Sequence, residues 1–370
     1  MDKSKVYFTD FRTVLGVSLT AKLQKLIKLA GIGSIDMNGK FVAIKMHFGE
    51  LGNLAYLRPN YAKAVADVVK ELGGLPFLTD CNTLYPGSRK HALEHLDCAN
   101  INGFNTVTTG CQIIIGDGLR GTDDIAVPVP NGEYCKEAYI GRGVMDADII
   151  ISLTHFKGHV VTGFGGVLKN IGMGGGSKRG KMDMHSSGAP VISEEKCIGC
   201  GMCAKHCDHE GVSIRNKKAV IDPDNCVGCG HCFSFCPKGA IECSWKGASA
   251  DVYRKIAEYT QAIIQDKPNF HISFVKDVSP FCDCDCGNDS PVVPDVGVFA
   301  GFDPVAVDQA CIDAVNEVPI IENSYIGEHA HEKGKHDISK MISPDHGWEE
   351  GFQHAERIGL GSRKYNLIKM

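Results

Sequence analysis

Apolar positions along the 370-residue chain fall into two kinds of run. Residues 41–46, 76–79, 113–115 and 148–153 are short and almost unbroken, the pattern of a strand buried on both faces. Residues 61–72 instead repeat at helical spacing and stop at Gly73 and Gly74, and residues 89–96 read as a second helix. Both kinds of run return after residue 250. Val252, Ile256, Tyr259 and Ile263 share one face of a helix over 251–265, and residues 271–275 and 296–300 read as strands. Residues 304–315 open as a helix, with Asp303 as N-cap and Pro304 at the first position. Strands alternating with helices predict an α/β fold, a largely parallel sheet covered by helices.

The polar residues matter for where they fall on this pattern. His47 follows the first of these strands, Asp80, Cys81 and Asn82 the second, Asp117 the third and His155 the fourth. Cys282 follows the 271–278 segment and Asp303 follows the 296–300 strand. In open α/β sheets ligands bind outside the carboxyl ends of the strands. The expectation is therefore one site that gathers His47, Asp80, His155, Cys282 and Asp303.

The pattern breaks between residues 188 and 246. Cys197, Cys200, Cys203 and Cys207 repeat, 29 residues on, as Cys226, Cys229, Cys232 and Cys236. Both runs read C-x₂-C-x₂-C-x₃-C. Three closely spaced thiolates wrap one cubane, and the fourth reaches across to the other. The predicted ligand sets are Cys197, Cys200, Cys203 and Cys236 for one [4Fe–4S] cluster, and Cys226, Cys229, Cys232 and Cys207 for a second. Paired zinc knuckles are the competing reading, but they use isolated C-x₂-C units rather than a tandem run. The stretch resembles the two-cluster bacterial ferredoxins. It predicts a ferredoxin-like α+β module over 188–246, inserted into a host domain made of 1–187 and 247–370.

Composition narrows the setting. The net charge of −5 with no long basic run gives no electrostatic case for nucleic acid or for an anionic membrane. Seventeen cysteines, an odd count at metal-ligand spacings, point to a reducing compartment with little oxygen. No signal-peptide core and no bilayer-length apolar stretch is present, so the expected location is cytoplasmic.

Outside the tandem run the densest chemistry lies between His155 and His185. His155 and His159 could meet a metal if they lay one helical turn apart. Otherwise they could serve as acid and base, with Lys157 or Lys169 holding a carboxylate or phosphate. A glycine-rich surface loop with solvated lysines is the bland alternative. Two tempting motifs fail on context. Gly175, Gly180 and Lys181 resemble a phosphate loop, but Met182 replaces its Ser or Thr and no strand directly precedes it. Gly116, Gly118 and Gly121 resemble a dinucleotide fingerprint, yet no helix pattern follows. Cys282, Cys284 and Cys286 would share one face of an extended chain, making a candidate third metal or cluster site. Cys81, Cys98, Cys111, Cys135 and Cys311 are scattered and read as packing residues.

Several longer motifs carry a family resemblance. They include Lys45, His47 and Glu50; Thr79, Asp80, Asn82 and Tyr85; Thr154, His155, Lys157 and His159; Gly165, Gly166, Lys169, Asn170 and Met173; Cys282 and Cys284; and Asp303, Pro304 and Asp308. Together they resemble the iron–sulfur branch of the family catalogued as domain of unknown function 362. The resemblance implies the α/β host and the inserted ferredoxin, and brings no assigned reaction. A weaker resemblance, at superfamily level, is to the nickel-cofactor lactate racemases. Three functions follow as expectations. The first is a ferredoxin-coupled oxidoreductase, passing single electrons to a substrate or cofactor near His47, Asp80, His155, His159 and Lys169. The second is a non-catalytic electron-transfer or binding protein. The third is a metal-dependent isomerase or racemase with structural clusters. The expected partner is a redox protein or a small-molecule substrate.

Overall fold

The computed structural model describes residues 3–370 except 85–86, 160, 186–189, 208, 227–231, 233–234, 244–248, 328–336 and 345–346. Eight strands build the main sheet: β1 (Ser4–Thr9), β2 (Phe41–Lys45), β3 (Leu75–Asp80), β4 (Gln112–Ile115), β5 (Ile149–His155), β6 (Asn269–Val275), β7 (Gly297–Gly301) and β8 (Tyr365–Lys369). Their order across the sheet is β8-β1-β7-β6-β5-β2-β3-β4. Neighbouring pairs are parallel except at β7, which runs antiparallel to both β1 and β6. The fold is mixed α/β with a large, mostly parallel sheet, as the alternation predicts.

The apolar runs lack a polar face because the sheet is covered on both sides. Val42, Ile44, Ile149 and Ile151 pack into one core with Leu23 and Leu26 of helix Leu19–Leu29 and Val65 and Val69 of helix Pro59–Glu71. Their strand neighbours Ala43 and Ile150 pack into a second core with Ile256 of helix Ser249–Ile264, Val307 of helix Pro304–Glu317 and Phe352 of helix Trp348–Arg357. Successive residues of a strand thus feed opposite cores. The outer pair β1 and β8 went unrecognised in sequence, since polar residues interrupt both and neither forms an unbroken apolar run.

Strand order locates the crevice. From β2 the chain steps outward to β3 and β4, then returns to the other side of β2 as β5, with β6 beyond it. The reversal lies between β2 and β5, where an α/β sheet opens at its carboxyl edge.

Three expectations need correction here. Asp303 does not join the edge. Gly301 at the end of β7 pairs with His271 near the start of β6, so β7 delivers Asp303 to the opposite end of the sheet. There it caps its helix through Val305 and Ala306 N–H and accepts from Ser4 Oγ at 2.6 Å and Ser362 N at 2.9 Å. His155 and His159 do not share a helix, because His155 ends β5 and Lys157–His159 pairs antiparallel with Gly163–Gly165. The second helix starts at Ala92 rather than Arg89, since the His91 side chain caps it by accepting from Glu94 N.

Between residues 190 and 243 the chain builds a small core of its own. Pro190–Ile192 pairs with Ile241–Cys243, and Val212–Arg215 pairs with Lys218–Ile221. Cys197, Cys203, Val212, Ala219, Cys232, Ala240 and Ile241 fill that core. Among the described residues no helix is long and apolar enough to cross a membrane.

Candidate functional site

A cavity of about 580 Å³ opens at the carboxyl edge where the strand order reverses. Its floor is built from strand ends. Lys45, the last residue of β2, and Asp80, the last of β3, are both buried and pair at 2.9 Å. Asn170 fixes the lysine by accepting from Lys45 Nζ at 3.0 Å, while its own amide donates to Lys45 O and to Thr154 Oγ1. Burial works against both charges of the pair. Asp80 offsets it only in part for Lys45, whose ammonium is lowered, whereas Lys45 and its cationic neighbours hold the Asp80 carboxyl below its usual range. Gly174 permits the close approach, since a Cβ there would run into Lys45 Nζ.

Arg89 enters from the loop before its helix. Its Nε binds Glu50 Oε2 at 2.9 Å, its Nη1 lies 2.9 Å from His47 Nε2 and 3.9 Å from Asp80 Oδ2, and its Nη2 donates to Cys284 O at 3.3 Å. His47 Nδ1 faces the Gly49 N–H at 2.9 Å. With a donor at each nitrogen the ring has no acceptor for an added proton. Burial, then Arg89, Lys157, Lys169 and Lys45, push its pKa well below the ordinary histidine value.

The two other histidines divide. His155 turns away from the cavity into the scaffold. Its Nδ1 lies 2.9 Å from Asp283 Oδ1, and its Nε2 lies 2.7 Å from Lys276 O. His159 lines the cavity, and its Nδ1 accepts from Val161 and Thr162 N–H, each at 3.1 Å. That places the proton of the neutral ring on Nε2. Burial, Lys169, His185 and Lys157 keep this ring neutral too.

Cys282 and Cys284 reach the same wall through a turn, closed by Asp285 N donating to Cys282 O at 2.9 Å. The turn is anchored by Asp283, which binds His155 and, at 3.2 Å, Lys157 Nζ. Burial alone would raise the Asp283 carboxyl, but His155 and Lys157 hold it well below the carboxylate range. The Cys284 thiol donates to the Cys282 sulfur, and Lys169 Nζ lies 3.5 Å from it, so Cys282 ionises far more readily than a free thiol and Cys284 less readily. Burial disfavours the Lys169 charge, yet the neighbouring sulfurs raise its pKa. His159, Cys282 and Cys284 place one ligand atom each within 4.8 Å of one another, a group that could hold a metal ion. Cys286 is exposed and outside it, because the chain turns here instead of extending. His159 takes the place that the cysteine triplet predicted for Cys286.

The edge thus gathers His47, Asp80, His159, Lys169, Cys282 and Cys284 around one space, with His155 behind it and Asp303 elsewhere. Sequence reasoning missed Arg89, assigned to a helix, and Asp283, overlooked between two cysteines. It also missed Lys181 as part of this wall. The phosphate-loop reading fails as expected. Lys181 and Gly176 N–H groups are spent on Ser177 O and Gly172 O, and no strand leads into the helix Lys178–His185.

The cysteine-rich segment has a separate geometry. Cys197, Cys200, Cys203 and Cys236 line one small cavity, although Cys236 lies over thirty residues from the others in sequence. Ala219 N donates to Cys197 Sγ at 3.3 Å and Ala240 N to Cys236 Sγ at 3.2 Å. Cys207 and Cys226 are half-buried and Cys232 is buried, whereas Cys229 lies outside the described residues. The scattered Cys81, Cys98, Cys111, Cys135 and Cys311 are buried, and Cys81 also lines the large cavity.

Residues 42–313 match the family model described as domain of unknown function, DUF362. The chain is similar to a thylakoid-associated protein of Synechocystis sp. (strain ATCC 27184 / PCC 6803 / Kazusa), 28% identical over 152 residues that make up 38% of this chain and 41% of that protein. Among solved structures it is similar to the lactate racemase apoprotein from Thermoanaerobacterium thermosaccharolyticum, with 12% identity, a TM-score of 0.38, and coverage of 85% of this chain and 58% of that one. It is also similar to a structural-genomics target from Thermotoga maritima, with 13% identity, a TM-score of 0.40, and coverage of 79% and 57%. In each case the match spans less than two thirds of the other protein.

Proposed function

The chain belongs to the DUF362 family, and on that premise we propose that it is an iron–sulfur oxidoreductase acting on a small anionic molecule in the large cavity. The observation that carries this reading is the convergence of Cys236 with Cys197, Cys200 and Cys203 on one cavity, the crossed set that the tandem spacing predicts. Backbone N–H groups directed at Cys197 and Cys236 sulfurs fit the same role, since such bonds stabilise ligating thiolates. Cys197, Cys200, Cys203 and Cys236 would hold one [4Fe–4S] cluster, and Cys226, Cys229, Cys232 and Cys207 the second. When bound, the clusters supply single electrons. The segment 188–246 would be an insertion between 1–187 and 247–370, a reading supported by the pairing of Pro190–Ile192 with Ile241–Cys243, which brings its two ends together.

The host residues would bind and orient the substrate. Lys45, Arg89, Lys157, Lys169 and Lys181 line or border the cavity, favouring an anion. Their acidic partners are Asp80, Glu50, Asp283 and the Cys282 sulfur, while no carboxylate among the described residues pairs with Lys181. Anaerobically purified protein should contain about eight irons and eight sulfides per chain. Stoichiometric zinc without sulfide would overturn the reading. A second reading, a metal-dependent isomerase with structural clusters, is favoured by the group of His159, Cys282 and Cys284. Turnover that requires reduction separates the first from the second.

A further inference from the structure

We propose that Cys282 and Cys284 form a redox-active dithiol that exchanges with small anionic disulfides, Cys282 attacking and Cys284 closing the internal bond. The two sulfurs lie within 4.8 Å of each other on a tight turn, so a disulfide between them requires the side chains to rotate toward each other. The turn is rigid where it matters. Asp283 between the cysteines is tied to His155 at 2.9 Å and Lys157 at 3.2 Å, so the thiols are presented from the sheet edge into the cavity.

Three features favour thiol exchange over a resident cation. Lys169 already stands 3.5 Å from Cys282 Sγ and supplies the positive charge that a nucleophilic thiolate needs. Lys157 adds a second ammonium on the same wall. His159 offers no free lone pair, because Nδ1 is taken by two backbone N–H groups and Nε2 carries the proton. That N–H can instead hydrogen-bond a departing thiolate.

The chemistry balances as follows. The Cys282 thiolate attacks a disulfide RS–SR′, forming a Cys282–SR bond and releasing R′S⁻. Cys284, giving its proton to a released thiolate, attacks Cys282 Sγ and expels RS⁻. One external disulfide is reduced to two thiols, one of them ionised, and one internal disulfide forms. A second dithiol, or two single electrons with one proton, restores the pair. The inference rests on the electron-transfer reading only for the source of those electrons.

The anionic preference comes from Lys181. Its ammonium donates to Gly176 O and lines the cavity, and no carboxylate among the described residues forms an ion pair with it at contact distance, Asp117 and Asp80 acting on it from farther away. The test exposes reduced, anaerobic protein to 3,3′-dithiodipropionate or to cystamine, two small disulfides of opposite charge, then maps alkylated peptides by mass. The expected product is a linked Cys282–Cys284 peptide lighter by about two mass units, formed about tenfold faster with the anionic disulfide. Cys284→Ser should stop at a mixed disulfide on Cys282, and Lys169→Gln should slow its formation. Wild-type protein that forms no internal disulfide overturns the proposal. So does a metal ion that copurifies and leaves only when Cys282 is alkylated. Iron and sulfide are counted on the same samples, so loss of the cluster reading and loss of the dithiol are scored apart.

Discussion

The molecule holds two sets of cysteines, and they are gathered in opposite ways. In the 190–243 segment the sulfurs are brought together by short local spacing, in a small core with Val212, Ala219 and Ile241, and backbone N–H groups point at them. At the sheet edge Cys282 and Cys284 are joined by residues far from them in sequence, including Lys45, Asp80, Arg89, Lys157 and Lys169. Around the first set Lys238 lines the small cavity and Lys218 Nζ donates to Cys197 O at 2.7 Å rather than to a sulfur, so four gathered thiolates would need a metal to balance them. The second has ammonium groups built into its wall. Spacing therefore announces one site, whereas only the fold assembles the other.

The sharpest way to break this contrast is to remove a charge from the assembled site. Lys45→Met leaves Asp80 buried, with the Cys81 N–H at 3.0 Å and, among the described residues, Arg89 and His95 each 3.9 Å away. Stranding one half of a buried pair should cost about 3–5 kcal/mol. Urea unfolding of the host should shift accordingly, while iron content per folded chain stays unchanged. Equal loss of iron would mean that the two regions are one cooperative unit.

Asp308 sharpens the contrast through pH. Its oxygens accept from Val167 N at 2.6 Å and Leu168 N at 3.0 Å, holding the start of the segment that carries Lys169 and Asn170. Gly166 is required beside it, since a Cβ there would run into the Asp308 carboxylate. Burial pushes this carboxyl up to about 7 in spite of those bonds, from an ordinary value of 3.8. Between those two values the unfolded chain has lost a proton that the folded chain keeps. Its contribution to stability is thus fully present below pH 4 and falls as pH rises toward 7, by on the order of 4 kcal/mol. Subtracting the urea midpoints of Asp308→Asn from those of the wild type across pH 4.5–8 should give that descending curve. A flat difference would refute it.

How much of this was legible follows from the same contrast. The strands β2, β3, β5 and β6 could be read because burial on two faces leaves unbroken apolar runs, β4 at the sheet edge shows its isoleucines although Ile114 is exposed, and the edge residues His47 and Asp80 followed from strand ends. Asp303 misled because nothing in its local sequence reports that β7 runs backwards; direction is set by pairing with β1 and β6. Whether His155 and His159 shared a helix stayed open because spacing does not reveal the Lys157–His159 hairpin. Arg89 carries no motif and Lys181 only a failed phosphate-loop likeness, and their importance comes from what lies across the cavity. The cysteine spacing, by contrast, needed no fold to suggest which sulfurs meet, although Cys229 lies outside the described residues.

The smallest expected effect concerns the seam between the regions. Arg120, on the host loop that follows β4, places its guanidinium 5.1 Å from the centre of the Phe235 ring. Phe235 also stacks on His206 at 3.7 Å and immediately precedes Cys236. An exposed contact of this kind is worth about 0.5–1 kcal/mol, too little to hold the segment by itself but enough to bias how it rests on the host. Arg120→Ala should leave the host unfolding midpoint and the iron count unchanged, while backbone amides around 204–207 and 235–240 exchange hydrogen a few-fold faster. Protection unchanged there would show that the segment is seated by other contacts. Faster exchange along β2 and β3 as well would show that a cue at the seam reaches the lysine-walled cavity, and the two cysteine sites would then be coupled through the fold.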